Sequence, residues 1–327
     1  MSKLLDEIDE KQKNFLKNIS TKMDPRDNNY FCELEDNLII PMCDEHREQY
    51  EGGSGSELKE RKNHGKLLPP KMKCVHSSSA MAFNLLGNKE VIFNDHPNLE
   101  DPERKPYFTP GKYSIKYEKK LKLLKKSNGM SNIDVFLFDD EEEDNAKNAI
   151  FCEMKMKEWL DSANKKLKEA YEKEENYSDE ARDKFLALIT KLQEEKKQKG
   201  SDLKGYDVWQ MFKHTLAIFN AFASGGKFYG KKYKKITLAN VVYKIKEWTS
   251  TDKSEFKKKY EKKFDKEYKG FKKFRDIVLA PESGLKELFE SECNVNFDIV
   301  FIPTHEFINC MEKTDAEKEY LERYWKF

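Results

Sequence analysis

The 327-residue sequence contains no run approaching 18 consecutive apolar residues, so it predicts no helix that crosses a membrane. Its first residues, MSKLLDEIDEKQKNF, are acid-rich and lack the apolar stretch of a secretory signal. The six cysteines are widely scattered without a Cys-x-x-Cys pair, which favours buried thiols in a reducing compartment over a disulfide scaffold. From the sequence we expect a cytoplasmic protein with no membrane partner.

Two common catalytic motifs and a compact zinc site are also missing. No Gly-x-Ser-x-Gly segment is present, and GGKFYGKK (225–232) lacks the Gly-Lys-Ser/Thr order of a phosphate-binding loop. These absences argue against a serine hydrolase and a nucleotide-binding loop of that type. The spacing of the candidate zinc ligands matches no compact finger pattern. Those candidates are Cys32, Cys43, His46, Cys74 and His76.

The composition supports a folded core but does not identify a partner. Hydrophobic residues make up 38% of the chain and include 22 Phe and 15 Tyr, enough for a core although 37% of residues are charged. The length fits about two domains or one elaborated α/β domain. The net charge is only +1, yet residues 1–60 carry a balance of −7 and residues 227–275 a balance of +12. Such a separation of charge can direct a polyanion to one face.

The most basic stretch, residues 255–274, is predicted to be one helix with an aromatic stripe. Phe256, Tyr260 and Phe264 recur every four residues, which is typical of a helix face that packs against a core. Lysines would then cover the outer face. The sequence supports an ordinary solvated helix with no binding role as well as it supports a helix that contacts DNA. The DNA-contacting candidates are Lys257, Lys258, Lys262 and Lys263.

The order of predicted elements indicates a mixed sheet flanked by helices. Helices are predicted over 3–20, 77–87, 206–222 and the basic segment, with a charged helical region over 157–200. Strands are predicted over 113–119, 132–139, 148–156, 235–245 and 296–303, with turns at 126–131 and 140–147. Residues 51–65 read as a flexible loop, and the GGSGS sequence within them also resembles an engineered linker.

The chemistry candidates are charged residues inside two apolar strands. Glu153 and Lys155 lie in the run AIFCEMKM, and alternation places them on one face of the strand. Asp134 interrupts the apolar run NIDVFLF of the preceding strand. Burying such groups costs several kcal/mol unless they are paired or bind a metal. Two carboxylates in close contact suit Mg²⁺, which prefers oxygen ligands and retains waters. A structural ion pair is the simpler alternative.

These residues resemble the active-site signature of the PD-(D/E)XK nuclease superfamily, an Ile-Asp134-Val strand followed by a Glu153-Met154-Lys155 strand. The segment SSSAMAFNL (77–85) is similar to the Ser-Ser-Gln-Ala-x-x-Phe-Asn-Leu helix of a bacterial family assigned as restriction endonucleases, with Ser79 in place of the glutamine. Glu158 matches an acidic position in that family. Gln210 resembles a glutamine that many superfamily members carry on the helix after the Glu-x-Lys strand. The resemblance spans about residues 75–305.

The resemblance implies a restriction-endonuclease-like α/β (α+β) core that hydrolyses DNA with Mg²⁺, or Mn²⁺ in its place. Asp134, Glu153 and the backbone carbonyl of Met154 would hold the metal, and Lys155 would orient the attacking water. In-line displacement would then leave a 5′-phosphate. Gln210 would position the scissile phosphate, and Glu158 would orient water or the lysine. Both residues also have a purely structural alternative. Gln210 would be a buried polar contact, and Glu158 would be an acid at the start of the next helix, where it complements the helix dipole.

Several further expectations follow. We predict an extension over residues 1–70 and a nuclease-like domain over 71–327, with a helical insertion at about 157–204. Glu118 is a weaker candidate ligand, and His214 and His305 are predicted to be packed rather than general bases. A homodimer is possible. Two other functions stay open: a non-catalytic nucleic-acid-binding protein that uses only the basic face, and an intracellular protein-interaction module. Mg²⁺-dependent nicking of DNA distinguishes nuclease activity from both.

Overall fold

The computed structural model describes residues 2–17, 22–53, 55–63, 65–99, 101–103, 106–126, 129–139, 147–161, 166–223, 227–248 and 254–326. The helices are α1 (Ser2–Lys17), α2 (Asp44–Gly52), α3 (Ser78–Leu86), α4 (Asp179–Lys197), α5 (Val208–Phe222), α6 (Ser254–Leu279), α7 (Leu285–Cys293), α8 (Thr304–Asn309) and α9 (Asp315–Leu321). The strands are β1 (Arg61–Asn63), β2 (Lys66–Leu68), β3 (Val91–Phe93), β4 (Gly111–Lys122), β5 (Met130–Asp139), β6 (Lys147–Lys155), β7 (Lys227–Phe228), β8 (Lys231–Val242) and β9 (Asn296–Pro303). No described helix is long and apolar enough to cross a membrane.

One mixed sheet organises the chain. Strands β3, β4, β5 and β6 are antiparallel neighbours, and β6, β8 and β9 then run parallel. The short strand β7 forms an antiparallel pair with β8, and β1 pairs with β2 in a separate hairpin. This arrangement, with helices flanking the sheet, confirms the predicted α/β restriction-endonuclease-like fold class.

Helices pack on both faces of the sheet because its central strands are buried on both sides. On one face, Phe222 of α5 meets Phe151 of β6 with ring centroids 6.0 Å apart. Phe271 of α6 meets Phe301 of β9 on that face at 5.2 Å. On the other face, the β4 ring of Tyr117 packs against residues of α2 and α3. The candidate residues of β6 point toward α5.

The helices that position the site begin at clear capping residues. The Asp207 side chain accepts a hydrogen bond from the backbone N–H of Gln210 at the start of α5. The Ser77 side chain accepts from Ala80 at the start of α3. Gly87 ends α3 with a φ of +79°, a conformation that glycine adopts without strain. Local sequence therefore fixes where α3 and α5 start relative to the sheet.

The main predicted strands and helices are present, but the charged region after β6 is not one helix. Short 3₁₀ turns at Glu158–Asp161, Glu169–Glu172 and Glu174–Asn176 precede α4. The Asn176 side chain donates to the Ala170 carbonyl, and such local bonds compete with a continuous helix. The predicted turns at 126–131 and 140–147, and the GGSGS segment, lie partly or mostly outside the described residues.

The N-terminal segment packs against the rest of the chain. Leu4 and Ile8 of α1 and Tyr50 of α2 belong to the same buried cluster as the sheet. The division into a 1–70 extension and a 71–327 nuclease-like domain stays a prediction.

Candidate active site

Strand register brings three carboxyl groups side by side. Val135 of β5 pairs with Cys152 of β6, so Asp134 lies beside Glu153 on the α5 face. Tyr117 of β4 pairs with Val135, which places Glu118 beside Asp134. Glu118 has a φ of +49°, which is uncommon for a non-glycine residue. The register therefore brings together the predicted acids and the weaker candidate.

Glu153 is at the centre of the site, and only 3% of it is exposed. Its Oε1 accepts hydrogen bonds from Lys155 Nζ and Gln210 Nε2, both at 2.6 Å. Its Oε2 lies 2.7 Å from His214 Nε2. Burial alone would raise the pKa of Glu153, but Lys155 and His214 outweigh it and lower the pKa to about 2. Glu153 is therefore ionised.

Lys155 is held between Glu153 and the helix. Its Nζ also donates to Gln210 Oε1 at 2.6 Å, and 15% of its side chain is exposed. Burial would lower the pKa of Lys155, but the Glu153 carboxylate, followed by that of Glu158, raises it. Lys155 is therefore a protonated ammonium group, and its contacts with Glu153 and Gln210 fix its position. The structure thus brings the side chains of Glu153, Lys155 and Gln210 within hydrogen-bond distance of one another.

His214 is a part of this site that sequence reasoning missed. It is buried, as a packed histidine would be, yet its Nε2 contacts Glu153 and its Nδ1 lies 2.7 Å from Ser131 Oγ. Because Glu153 is ionised, His214 Nε2 must donate the proton in their hydrogen bond. Its spacing of four residues from Gln210 on α5 was the available signal, since such residues share a helix face.

Asp134 has few partners for a partly buried carboxyl group. The backbone N–H of Met154 donates to its Oδ2 at 2.7 Å. Burial, followed by the charges of Glu153 and Glu118, raises the pKa of Asp134 well above its ordinary value. Burial, with Glu57 and Glu153, raises the pKa of Glu118 to about 7. The three acids thus repel one another across β4, β5 and β6.

The donor set at this position suits a hard cation with few protein ligands. Across the part of the chain that the structure describes, no three Asp, Glu, His or Cys side chains converge closely enough to hold a metal ion. Asp134 and Glu153 would therefore be joined by backbone oxygen and water. Mg²⁺ is commonly bound in this way, by one or two carboxylates with several waters. The mutual repulsion of the acids is the observation that fits such an ion.

Glu158 lies beside this network and outside its hydrogen bonds. Its side chain is exposed and accepts from the backbone N–H of Met156 at 2.7 Å. It lines the same cleft as Lys155 and Gln210, which has a volume of about 650 Å³. Lys155, Gln210 and Glu158 therefore line a cleft of the size of small-ligand sites, whereas Asp134 and Glu153 do not line it.

The basic helix α6 turns its aromatic stripe inward, as predicted. Phe256, Tyr260 and Phe264 are buried. Of the four candidate lysines, Lys258 and Lys262 are exposed and the other two are partly buried. Lys257 is half-buried beside Trp248, with its Nζ 5.7 Å from the ring centroid. Lys263 is half-buried and donates to the Leu160 carbonyl, because the 3₁₀ turn after β6 packs against this helix.

Comparison with known proteins gives one family. The family described as Restriction Endonuclease associating with ARP matches residues 9–240, which contain all the predicted catalytic and metal-binding residues. The match begins in α1 and so includes most of residues 1–70, which lie outside the resemblance found in the sequence. No curated protein and no solved structure matches the chain.

Proposed function

The chain belongs to the family of restriction endonucleases associating with ARP, and from this premise we propose that it is a Mg²⁺-dependent deoxyribonuclease of the defence type. The observation that carries the proposal is the contact of Lys155 Nζ with both Glu153 and Gln210 at 2.6 Å, beside Asp134. A partly buried lysine held by two hydrogen bonds in this way presents a fixed charge to the cleft that it lines. Such a charge suits a reaction in which negative charge builds up on phosphate oxygens.

Asp134 and Glu153 are the proposed metal ligands, with the carbonyl of Met154. The Met154 N–H already turns toward Asp134, and the N–H and C=O of one strand residue point to the same neighbouring strand. Mg²⁺ bound there would polarise a phosphoryl oxygen and balance the charge that develops on it. Mn²⁺ has similar ligand preferences and would substitute.

Lys155 is proposed to orient the attacking water and to stabilise the negative charge that forms on the phosphate. Its raised pKa keeps it protonated, so it donates hydrogen bonds and does not act as a general base. Glu153 and Gln210 each accept one of its three N–H groups, which leaves one for the water or the phosphate. Attack in line with the leaving 3′-oxygen would leave a 5′-phosphate.

We propose different roles for Gln210 and Glu158. Gln210 bridges Lys155 and Glu153 through its two side-chain polar atoms, so it holds both in place and lies within reach of the scissile phosphate. Glu158 raises the pKa of Lys155 without a hydrogen bond to it, which fits a long-range electrostatic role. Lys258 and Lys262 on α6 remain the proposed DNA contacts away from the site, because both are exposed.

A nuclease assay tests this proposal. Purified protein would be incubated with plasmid DNA in Mg²⁺, in Mn²⁺ and in EDTA, and single-stranded DNA and RNA would be tested in parallel. We expect DNA cleavage that requires the divalent ion and leaves 5′-phosphate ends. DNA retention without cleavage in any metal would contradict the nuclease and favour a non-catalytic binding protein. Absence of both would favour a protein-interaction module.

A further inference from the structure

Cleavage of a phosphodiester bond requires a proton at the leaving 3′-oxygen. That oxygen departs as a strongly basic alkoxide unless an acid protonates it as its bond to phosphorus breaks. Burial would lower the pKa of Lys155, but the Glu153 carboxylate raises it, so the lysine is too weak an acid for this task. Gln210 carries an amide, which donates hydrogen bonds but does not release a proton. The proton donor must therefore be sought among the other side chains that line the cleft of Lys155 and Gln210.

Glu267 of α6 is one of those side chains, and it is buried in the wall of the cleft. It lines the cleft together with Lys155 and Gln210, and only 6% of it is exposed. Helix α6 comes close to this region because residue 270 is a glycine. A Cβ atom at Gly270 would lie 2.6 Å from the Cβ of Tyr206, which just precedes α5. The close packing of α6 against the start of α5 therefore holds Glu267 at the cleft.

The carboxyl group of Glu267 lacks a partner among the residues that the structure describes. Within that part of the chain, no group donates a hydrogen bond to it or forms an ion pair with it. The charge of Lys155 favours ionisation of Glu267, but Glu153 and Gln210 already bind that ammonium group. A buried carboxyl group in this position keeps its proton, because burial of an unpaired carboxylate costs several kcal/mol.

The charges around Glu267 leave it protonated at neutral pH. Burial raises its pKa to about 8, with Lys155 opposing the shift and Asp207 at the start of α5 adding to it. The neighbouring Tyr206 hydroxyl is neutral as well, since burial, followed by the charge of Glu267, raises its pKa well above the ordinary value. A bound phosphate, as an anion, would strengthen the hold of Glu267 on its proton. The remaining charged side chains that line the cleft are Glu57, Arg61, Lys71, His76, Lys157 and Glu158.

We propose that Glu267 is a catalytic residue, the general acid that protonates the 3′-oxygen as it leaves. The inference rests on the proposed nuclease function and adds a residue to that same site. The water oxygen forms a bond to phosphorus, and the bond from phosphorus to the 3′-oxygen breaks with its electron pair on that oxygen. The 3′-oxygen takes the proton of Glu267. The attacking water releases a proton to solvent through the open cleft, and the Glu267 carboxylate then regains one from solvent.

Single-turnover cleavage of two matched duplexes in Mg²⁺ tests this inference. Both duplexes carry the sequence that the wild type cuts in plasmid DNA, and in one of them sulfur replaces the leaving 3′-oxygen. A thiolate leaves without a proton, because a thiol is a much stronger acid than an alcohol. Glu267→Gln should cleave the oxygen duplex about 10²-fold more slowly than the wild type, and the sulfur duplex at a rate within about twofold of it. Glu261→Gln, an exposed position on the same helix, should match the wild type on both duplexes.

The pH dependence and Mg²⁺ binding give two further readouts. A general acid acts in its protonated form, so its contribution is full below the pKa of Glu267 and is lost as the pH rises through about 8. The ratio of the wild-type rate to the Glu267→Gln rate on the oxygen duplex should therefore fall above about pH 8. Mg²⁺ binding measured by calorimetry should be the same in both proteins, because Glu267 is not a proposed ligand.

Three results would overturn the assignment of Glu267 while leaving the nuclease function intact. Equal cleavage of the oxygen duplex by the wild type and Glu267→Gln would show that the residue takes no part in the reaction. An equal loss of rate on both duplexes would show that it only supports the structure of the cleft. Weakened Mg²⁺ binding in Glu267→Gln would make it a metal ligand. Failure of the wild type to cleave either duplex would contradict the nuclease itself, and the general acid with it.

Discussion

At the residue scale, the site is a small set of charges whose protonation is fixed by neighbours. Glu153 and Asp134 lie side by side, yet their pKa values shift in opposite directions. Glu153 has three hydrogen-bond donors and Asp134 has one backbone donor. Burial acts on both groups, but the Lys155 charge and the His214 hydrogen bond overcome it at Glu153, whereas the charges of Glu153 and Glu118 add to it at Asp134. This difference leads to two predictions.

Asp134→Asn should abolish Mg²⁺ binding and cleavage but stabilise the metal-free protein. The asparagine Oδ1 still accepts from Met154, while the repulsion with Glu153 and Glu118 disappears. We expect the melting temperature in EDTA to rise by roughly 2–4 °C, as for a gain of about 1 kcal/mol. Asp139→Asn at the end of the same strand is the control. Unchanged cleavage would show that Asp134 is not a ligand.

His214→Ala should lower kcat by about 10- to 100-fold, the usual effect of losing a residue that orients a metal ligand. The reason is that Glu153 Oε2 loses its donor, so only the two hydrogen bonds to Oε1 still orient the carboxylate. His214→Gln, which keeps an N–H donor, should recover much of the activity, and KM for DNA should change little in both variants. Equal kcat values for wild type and His214→Ala would mean that the histidine only fills the core.

At the element scale, helices α5 and α6 determine which side chains lie against the sheet. Gln210 and His214 reach Glu153 because Asp207 starts α5 at the right residue. The periodicity of α6 correctly predicted its buried aromatic stripe, but it did not show that Lys263 would meet the Leu160 carbonyl. Such contacts depend on how a neighbouring turn packs, and helix periodicity carries no information about that turn.

Glu267 on α6 makes the stability of the protein depend on pH. It is 6% exposed, and burial raises its pKa from 4.5 to about 8, with Lys155 opposing and Asp207 assisting the shift. The folded state therefore keeps a proton that the unfolded state releases first. Its stabilising contribution is full below about pH 4.5 and is lost as the pH rises through about 8.

Glu267→Gln should remove this dependence. The difference in free energy of unfolding between the variant and the wild type should grow with pH, reaching roughly 2–4 kcal/mol in favour of the variant near pH 9. Denaturant unfolding at several pH values measures it, and Glu261→Gln, an exposed position on the same helix, should show little change. A constant difference across pH would mean that Glu267 is ionised in the folded protein.

The exposed lysines of α6 give a prediction about affinity. Replacing Lys258 and Lys262 by glutamine should leave folding intact, because both side chains are exposed. Duplex-DNA affinity should fall, and the slope of log K against log salt should become shallower by about 0.9 for each lost phosphate contact. Replacement of Lys184 and Lys199, exposed outside the basic segment, is the control. An identical slope in both variants would place the DNA path elsewhere.

At the scale of the whole molecule, the sequence predicted the sheet and the main charged residues but not the enclosure of the site. In the sequence, the alternation of Glu153 and Lys155 indicates one face of their strand, and the apolar context of Asp134 indicates a charged group in the strand before it. Arg61 and Tyr30 gave no such signal, because the packing of distant segments brings them to the cleft. The homodimer stays a prediction.

The family match and the structure give complementary information about which parts of the molecule serve the chemistry. The family match covers residues 9–240, so it contains β4, β5, β6 and α5, whereas α6 lies beyond its end. The candidate metal ligands and Lys155 therefore belong to the matched part, and the basic helix lies outside it. We expect substitutions in the matched strands to affect the chemistry and substitutions of the exposed lysines on α6 to affect affinity.

The most direct test is single-turnover cleavage of DNA in Mg²⁺ by the wild type and by Lys155→Ala, with Mg²⁺ binding measured by calorimetry on the same samples. The account predicts a loss of at least about 10²–10³-fold in the cleavage rate, since a fixed charge at the transition state is removed. Mg²⁺ and DNA binding should persist, because Lys155 is not a ligand, and Lys89→Ala, an exposed lysine, should match the wild type. Cleavage by Lys155→Ala at the wild-type rate would contradict the proposed site.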